Sequence, residues 1–589
     1  MKIVCLIKQV PRTDAIAFDP DTKSLKREGV PLLLNPFDAG AVAHAVGLKE
    51  RHGGEVIAMT MGPPQASEAL QTCLALGADR CIHLSDRAFA VADTLGTSRT
   101  LALAIQKESD VDLVVCGRKT TDSETWQVPP EVAAFLRVPH LTSVVESEFV
   151  GGRLHATRES DDGDETWSIT LPAVISCARA RDAAETADGR IDVWTAADLV
   201  DDVRPNDKRF GQTGSPTRVL AVRDVTPERS GETFDTPAYA AARVRVLLAE
   251  RRLDPSDWTK PERLGDEPSA NRYDCWTLVE HSGGRIARVS LELLGKGREL
   301  AGKLGGECVA LVLGHEIGEV AREAGRYGAD RVVVAEHASL ATYHPEIWGK
   351  ALTRIVREHR PHVLLIPSTA NGRDVGPRVA GDLELGMTGD CVGLGIDRAG
   401  RLIQTKPAYG GNIVSVIMGA TTPQLATVRA RMFKPLEPRG DGVPIERVEL
   451  GGLEARTLEL LQRTDSSARD LDAADVVVCL GPELDSSEVA EARTIAESSG
   501  AALGATLEVC ERGDLPRNRQ LGLLGRAIAP ALLVTVGVPG GFEQLTGFVK
   551  AGVIAALNGE RGAAMLDAAD VGVVGDWRDA LTELVRAGT

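Results

Sequence analysis

Apolar and polar positions along the chain fall into short apolar runs separated by amphipathic stretches, and one series of phrases occurs twice. GGEVIAMTMG (53–62) nearly repeats as GGECVALVLG (305–314). An amphipathic segment follows each, then GADRCIHL (77–84) or GADRVVVA (328–335). Apolar residues at three-to-four spacing over 101–105 and 347–355 predict a helix in each copy. DLVVCG from Asp112 and HVLLIP from His362 predict the buried strand that follows. Short apolar runs alternating with amphipathic helices predict βαβ units and a parallel sheet covered on both faces. Four phrases in the same order identify two tandem copies of one α/β domain. A third α/β segment follows, with strands predicted in ADVVVCLG (474–481), ALLVTVGVPGG (531–541) and GVIAALN (552–558). Between the first two lies a predicted helix over 486–499, opened by a Ser-x-x-Glu or Asp-x-x-Glu start. Residues 445–469 read as a short mixed connector, and 182–271 as an extended arm plus linker.

Length agrees with this division, since 589 residues exceed one core and suggest three or four domains. The net charge of −17, without a long basic run, argues against a nucleic-acid partner. Ten cysteines without a C-x-x-C pair fit reduced thiols, not a disulfide frame or a zinc site. The start is apolar for too few residues before Lys8 to be a signal peptide, and no run is long enough to span a bilayer. The expectation is a soluble, cytoplasmic protein.

Ligands of open parallel sheets sit beyond the carboxyl ends of the strands, where backbone N–H groups and helix N-termini favour anions. The loops there, CGRKTTDSETWQVPPE after Val115 and PSTANGRDVGPRVAG after Ile366, mix hydroxyl residues with Arg or Lys and an Asp. That composition suits a phosphate and a ribose, although many such loops merely turn the chain. No G-x-x-x-x-G-K-[ST] loop is present, and no G-x-G-x-x-G opens the first helix, so the signatures of an ATPase or a simple nicotinamide dehydrogenase are missing. Asp162, Asp164 and Glu165 in SDDGDETW read as a solvated hairpin turn. The histidines lack metal-like spacing, and Cys5 and Cys116 read as small core residues.

At these motifs the chain resembles an electron transfer flavoprotein with its β and α subunits fused, β first, over nearly its whole length. The β-like phrases are VCLIKQVP, NPFDAGAVAHAVGLKE, GADR, CGRKTTDSETWQVPPE and GSPTRV (214–219). The α-like phrases are EHSGGRIARVSLELLGKGRELAGKLGG, NGRDVGPRVAG, GMTGDCVGL, TKPAYGGN and PQLATVR. The resemblance implies two tandem Rossmann-like, adenine-nucleotide-binding domains and a C-terminal Rossmann-like, DHS-type flavin domain. It divides the chain into a β-like domain with its arm (1–245), a linker (246–272), an α-like N-terminal domain (273–445), a connector (446–469) and an α-like FAD-type domain (470–589).

Two nucleotide sites follow from the resemblance. In the β half the matching positions are Leu6, Asn35, Pro36, Phe37, Met61 and the loop 117–127. Ordinary members hold AMP there; bifurcating members hold a second FAD beneath a loop of the type GR-x-A-x-D-G-D-T-A-Q-V-G-P. This chain keeps Gly117, Arg118, Asp122, Thr125, Gln127, Val128 and Pro130 of that pattern, and VSLELLGKGRELA is also of that type, so FAD is favoured over AMP. Arg373 and Lys406, on α loops, are expected to face its ring, with Lys406 standing where Arg is usual.

The second site departs from the family. S-G-A-I-Q-H-L-A-G-M becomes PGGFEQLTGF, which keeps Gly540, has Gly541, and puts Pro539 for Ser and Gln544 for the His beside flavin O2. Q-V-G-Q-T-G-K becomes QLGLLGR, which keeps Gly522 and Gly525 but has Leu523 and Leu524 for two polar residues. Pro482 and Leu507 replace two Arg; Thr506 of the ATL triplet, Asn558 and Asp576 remain candidates. Reducing a flavin builds negative charge along N1 and O2, which Arg and His donors stabilise. Each such charged hydrogen bond contributes ~1.5–3 kcal/mol, so losing three would lower the potential by on the order of 100 mV or more. The expectation is a low-potential FAD or, preferred, an empty C-terminal site.

The functions implied are a flavin-dependent electron carrier between a flavin dehydrogenase, or NADH, and a quinone-reducing or other redox acceptor. Two alternatives stay open: a nucleotide-binding scaffold with partly lost redox function, and an NAD-dependent bifurcating flavoprotein. Oligomeric state is not legible.

Overall fold

The repeated glycine pairs show how the two copies are built. Gly53 and Gly305 end their helices at φ +73° and +72°, the left-handed conformation in which glycine is unstrained. A Cβ on Gly54 would lie 2.1 Å from the Met1 carbonyl oxygen, and one on Gly306 would lie 1.9 Å from that of Tyr273. In each copy the helix therefore stops and turns back against the start of the first strand. The computed structural model describes residues 1–12, 17–18, 25–26, 30–161, 163–224, 229–250, 273–409, 413–440, 442–465, 471, 474–548 and 550–588. Asp162, the end of TKPAYGGN and most of the 246–272 linker lie outside the described residues.

The first sheet has ten strands in the order Ile191–Trp194, Arg80–Leu84, Glu55–Met61, Lys2–Leu6, Leu113–Gly117, Ala173–Cys177, His140–Val150, Arg153–Glu159, Gly163–Ile169 and Leu458–Asp465. The first seven run parallel and the last three join antiparallel. The second sheet repeats the parallel part: Ile445–Val448, Arg331–Glu336, Cys308–Gly314, Cys275–Val279, Val363–Pro367, Gln424–Val428 and Met387–Cys391. Runs such as LVVCG and VLLIP are apolar throughout because helices bury both faces. The third sheet is also parallel, centred on Val476–Leu480, Leu532–Val536 and Val553–Asn558. Its helix Ser486–Ser498 opens at Asp485 with a capping box to Glu488, which decides between the two starts left open by the sequence.

Arm and connector tie the units together. Thr217–Asp224 pairs with Ile413–Gly419 of the second unit. Glu232–Phe234 adds a strand to the third sheet, and helix Pro237–Glu250 packs Ala240, Val244 and Leu247 with Leu581 and Leu584 of the C-terminal helix. The connector gives Ile445–Val448 to the second sheet and Leu458–Asp465 to the first. All ten cysteines are buried and free.

The SDDGDETW hairpin is present, but Glu165 is not a solvated turn residue. Period-two alternation puts it on the inward face with Trp167, where it is 2% exposed and pairs with Arg158 (2.9 Å) and Arg463 (2.6 Å). Arg158 reaches on to Asp374 of the second unit (3.6 Å). Asp374 also meets His140 (3.0 Å), the Tyr343 hydroxyl (2.6 Å) and the Thr142 hydroxyl (2.7 Å). Beside this network, helices Val128–Leu136 and Ala370–Leu383 cross so closely that a Cβ on Gly381 would lie 2.6 Å from that of Ala134.

Candidate cofactor cleft

The loop after Gly117 is held down by the chain's own polar groups. Asp38, in the first turn of helix Pro36–His52, accepts the N–H groups of Lys8 (2.8 Å) and Gly117 (3.1 Å), two strand-end donors. Burial pushes the Asp38 carboxyl up to about 7 despite those bonds. Asn35 donates to the Lys119 carbonyl (3.0 Å) and accepts from Thr121 N–H (3.2 Å), so this residue at the helix start grips the loop instead of capping the helix. Lys8 pairs with Asp122 at 2.5 Å. The Arg118 guanidinium lies 4.9 Å from the Phe37 ring centre and 5.2 Å from that of Trp126, with Arg373 4.7 Å from the latter. Glu124 and Trp126 adopt φ +46° and +63°, a conformation that costs such residues roughly 1–3 kcal/mol each.

The expected β-half residues do not all turn the same way. Leu6 and Met61 end neighbouring strands, and Phe37 and Arg118 meet as described. Pro36 begins the helix and Val128 begins the next one. Thr125 presents its carbonyl to Gly389, where an added Cβ would be 2.8 Å away. Gln127 faces the interface: its amide donates to the carbonyl of Met387 (3.1 Å), the Thr94 hydroxyl (3.1 Å) and Glu131 (3.2 Å). Arg373 lies in a helix and Lys406 in a strand, not in loops. The Lys406 amine donates to the carbonyls of Glu124 (3.1 Å) and Pro407 (3.3 Å), and is not part of the cleft lining described next.

A cavity of about 1320 Å³ opens where the three units meet. The first contributes Arg118, Trp126, Glu159 and Asp161; the second Glu280, Thr369, Asn371, Arg373, Asp390 and Arg429; the third Leu507, Leu524, Arg526, Ile528 and Lys550. Thirteen lysines and arginines and nine aspartates and glutamates line it, a positive surplus of four in a chain of net charge −17. Asp390 organises one wall, accepting from two nitrogens of Arg373 (2.9 and 3.1 Å), from Arg429 (3.1 Å) and from the Ser368 hydroxyl. Burial alone would raise the Asp390 carboxyl, yet Arg373 and Arg429 hold it well below the usual carboxylate range. Burial and the charge of Asp161 push Glu280 up to about 8.

The expected C-terminal residues mostly brace their own loops. Gly522 and Gly540 sit at φ +123° and +88°, with Glu543 and Met565 too close for a side chain. Leu523 is buried and its N–H donates to the Glu543 carbonyl (2.7 Å); Leu524 lines the cleft and accepts from Arg118 through its carbonyl (3.2 Å). Gln544 accepts the N–H groups of Gly540 (3.0 Å) and Gly541 (2.8 Å), so its amide oxygen is committed to the turn. Asn558 donates to Glu483 (3.0 Å) and to the Val538 carbonyl (3.2 Å), while Asp576 is exposed and pairs with Arg578 at 3.2 Å. The described polar atoms of this unit that are buried without a hydrogen-bond partner include the Thr506 hydroxyl and the Lys550 amine, and of these two residues Lys550 lines the cleft. A cofactor that supplies an anionic partner to Lys550 would fit here.

Asp38, Asp390, Arg429 and Lys550 escaped the sequence reading, which covered Trp126 only as part of the loop 117–127. The readable signals were a lone Lys in the apolar GFVKAGVIAAL and the Asp of GMTGDC. Among the described residues no group of three or more His, Cys, Asp or Glu is placed to hold a metal, and no helix is long and apolar enough to cross a membrane.

Comparison with known proteins meets this geometry. The electron transfer flavoprotein domain matches twice, at residues 22–199 and 275–452, and the electron transfer flavoprotein FAD-binding domain matches 470–549. Electron transfer flavoprotein subunit alpha of Clostridium acetobutylicum is 32% identical over 319 residues, 53% of this chain and 95% of the relative. The beta subunit of Thermoanaerobacterium thermosaccharolyticum is 38% identical over 240 residues, 40% of this chain and 92% of the relative. Caffeyl-CoA reductase-Etf complex subunit CarD of Acetobacterium woodii is 39% identical over 237 residues, 39% of this chain and 90% of the relative. Two matched copies, a third matched flavin domain and a cationic cleft where they converge lead to one conclusion: the chain belongs to the electron transfer flavoprotein family, as a flavin-dependent electron carrier with a β-type half fused ahead of an α-type half.

Proposed function

We propose that the chain carries electrons on FAD seated in the cleft between its three units. It takes them from a flavin-containing dehydrogenase and passes them to a quinone-reducing or other redox protein that docks on it. The carrying observation is the cleft itself, about 1320 Å³ with a positive surplus, one wall of which comes from the segment matched to the FAD-binding domain. That volume exceeds the ~300–1,000 Å³ of drug-sized sites and suits a dinucleotide. Bound there, FAD supplies reversible electron uptake, and the protein's task is to hold and bias it. Leu507, Leu524 and Ile528 offer an apolar wall, with Trp126 elsewhere in the lining. Asp390 fixes Arg373 and Arg429 in advance, so these donors need no reorganisation when charge arrives. Passing electrons to a docked partner requires no proton-moving side chain. The acidic chain suits partners with basic patches. Relatives bear the names caffeyl-CoA reductase-Etf complex subunit and acryloyl-CoA reductase electron transfer subunit, which supports an acyl-CoA-handling enzyme as one partner class.

A second nucleotide, FAD or AMP, is proposed for the β-half crevice. The retained Gly117, Arg118, Asp122, Thr125, Gln127 and Val128 of its loop favour this, whereas the strained Glu124 and Trp126 line the central cleft. Counting the FAD and AMP released from the denatured native protein tests both readings. One FAD with one AMP supports a cleft flavin with AMP in the β half, and two FAD support flavin in both. A chain that stays colourless after incubation with FAD overturns the carrier reading and leaves the nucleotide-binding scaffold. Anaerobic addition of NADH to the flavin-loaded protein tests direct reduction: bleaching supports NADH as donor, and its absence leaves the dehydrogenase.

A further inference from the structure

Among the described residues, Lys550 is a cleft lysine whose amine is buried without a hydrogen-bond partner. Arg373 and Arg429 are held by Asp390, and Arg118 by Glu159 (3.5 Å) and the Leu524 carbonyl. Arg118 and Arg463 each have a buried Nε without a partner, but Arg118 is bonded through its other two nitrogens and Arg463 through one of them. The Lys550 amine is buried with no hydrogen-bond partner at all among the described residues, and its side chain lines the cavity. A buried ammonium without a partner costs several kcal/mol unless an anion joins it or it gives up its proton. Consistent with that cost, burial and then the Arg429 charge push Lys550 well below the ordinary lysine value. Beside the apolar Leu507, Leu524 and Ile528, the lining of the same unit carries Arg517, bonded to Glu511 (3.0 Å) and Gln520 (3.4 Å), and Arg526, which also has a partner. An apolar stretch beside a single unengaged amine suits a flat ring that gains negative charge at one edge, whereas a diphosphate calls for several free donors.

We infer that Lys550 faces the N1–C2 carbonyl edge of the FAD ring and stabilises the negative charge that reduction places there. It thereby supplies a cation on a unit where Pro482, Leu507 and Gln544 stand at positions that carry Arg, Arg and His in the family. The inference rests on the proposal that FAD occupies this cleft, and it deepens that proposal by naming the residue that sets the cofactor's potential.

The test uses the full-length chain and its Lys550→Met and Lys550→Arg variants, loaded with FAD. Three quantities are measured for each: the midpoint potential by spectroelectrochemistry, the Kd for oxidised FAD, and the Kd for ADP, which has the diphosphate but no flavin ring. Lys550→Met should weaken binding of reduced relative to oxidised FAD by at least tenfold, which for a two-electron couple lowers the midpoint by about 30 mV. The ADP affinity should stay within twofold, and Lys550→Arg should restore most of the midpoint. An unchanged midpoint in a Lys550→Met protein that binds FAD overturns the inference, as does a parallel loss of ADP and FAD affinity, which would place a diphosphate opposite the amine. Should Lys550→Met not fold, a threefold loss of ADP affinity in Lys550→Arg would likewise overturn it. A wild-type chain that takes up no FAD fails the cleft proposal instead, and is told apart by its colour before any variant is made.

Discussion

Replacing Arg158 by Met should loosen the joint between the two homologous halves. Arg158 is 1% exposed; its guanidinium meets Glu165 at 2.9 Å and Asp374 at 3.6 Å, donates to Asn371 at 3.1 Å and lies 5.3 Å from the Tyr343 ring centre. Three of these four partners belong to the other half. Removing one member of a buried ion pair costs ~3–5 kcal/mol, because the remaining charge is stranded in a medium that solvates it poorly. Here the stranding is partial. Glu165 keeps Arg463 and the Trp167 N–H (3.1 Å), and Asp374 keeps His140, Thr142 and Tyr343. Two charge-assisted hydrogen bonds are nevertheless lost, each contributing ~1.5–3 kcal/mol, so about 3 kcal/mol is expected. For units of this size that lowers the first thermal transition by roughly 6–12 °C, followed by calorimetry, since a chain with several units need not melt in one step. Asp374→Asn in the same background should cost less than the sum of the single changes, by 1 kcal/mol or more, because the two residues share one network. A first transition lowered by under 2 °C, with additive variants, would refute the claim that this network joins the halves.

Gly381→Ala sets two effects against each other. Alanine gains up to ~1 kcal/mol in a helix interior, but the new Cβ would sit 2.6 Å from that of Ala134 on the facing helix, and overpacking costs ~1–3 kcal/mol. Sterics should win, giving net destabilisation, whereas Gly302→Ala, exposed with nothing within 4 Å of its Cβ, should stabilise by about 0.5–1 kcal/mol. Urea titrations of both variants check the opposite signs. Glu346 accepts from Lys350 (2.6 Å) and from Thr457 N–H (2.9 Å), Thr457 hydroxyl (2.8 Å) and Arg456 N–H (3.0 Å), pinning the connector. Burial opposes its ionisation, but these donors lower its pKa to about 2. A depressed carboxyl stabilises the folded chain above the ordinary carboxyl pKa and loses that contribution as pH falls towards 2. Wild type should therefore exceed Glu346→Gln by about 2 kcal/mol at pH 6, discounted for partial solvation, and the gap should close by pH 2–3; a gap independent of pH refutes the assignment.

What could be read beforehand was what is local. The duplication is legible because each copy needs the same two glycines, one to leave the helix and one to pass a strand-start carbonyl, and because doubly covered strands are apolar end to end. Leu458–Asp465 was not legible as a strand of the first sheet, since LELLQRTD acquires that role only from its partner Gly163–Ile169, almost 300 residues earlier. Glu165 shows how small the missing information can be. Ending the turn at Gly163 puts residues 165 and 167 on one face, and Trp167 decides that this face is buried; ending it two residues later leaves Glu165 in water. In the cleft the same limit operates across units. Gln127 looks like a ligand within its loop, yet its direction is set by the Met387 carbonyl of the other half. Lys550 stands in no motif within GFVKAG, yet it lines one cleft with Trp126 and Arg429. Both cases have one physical origin. A side chain's partner at a junction is chosen by a surface that is distant in the chain, so local pattern places the loop and leaves its charges unassigned. The unanswered ammonium of Lys550 emerges only once all three units are in place, and that is why the residue best situated to tune a bound flavin was the one with no motif around it.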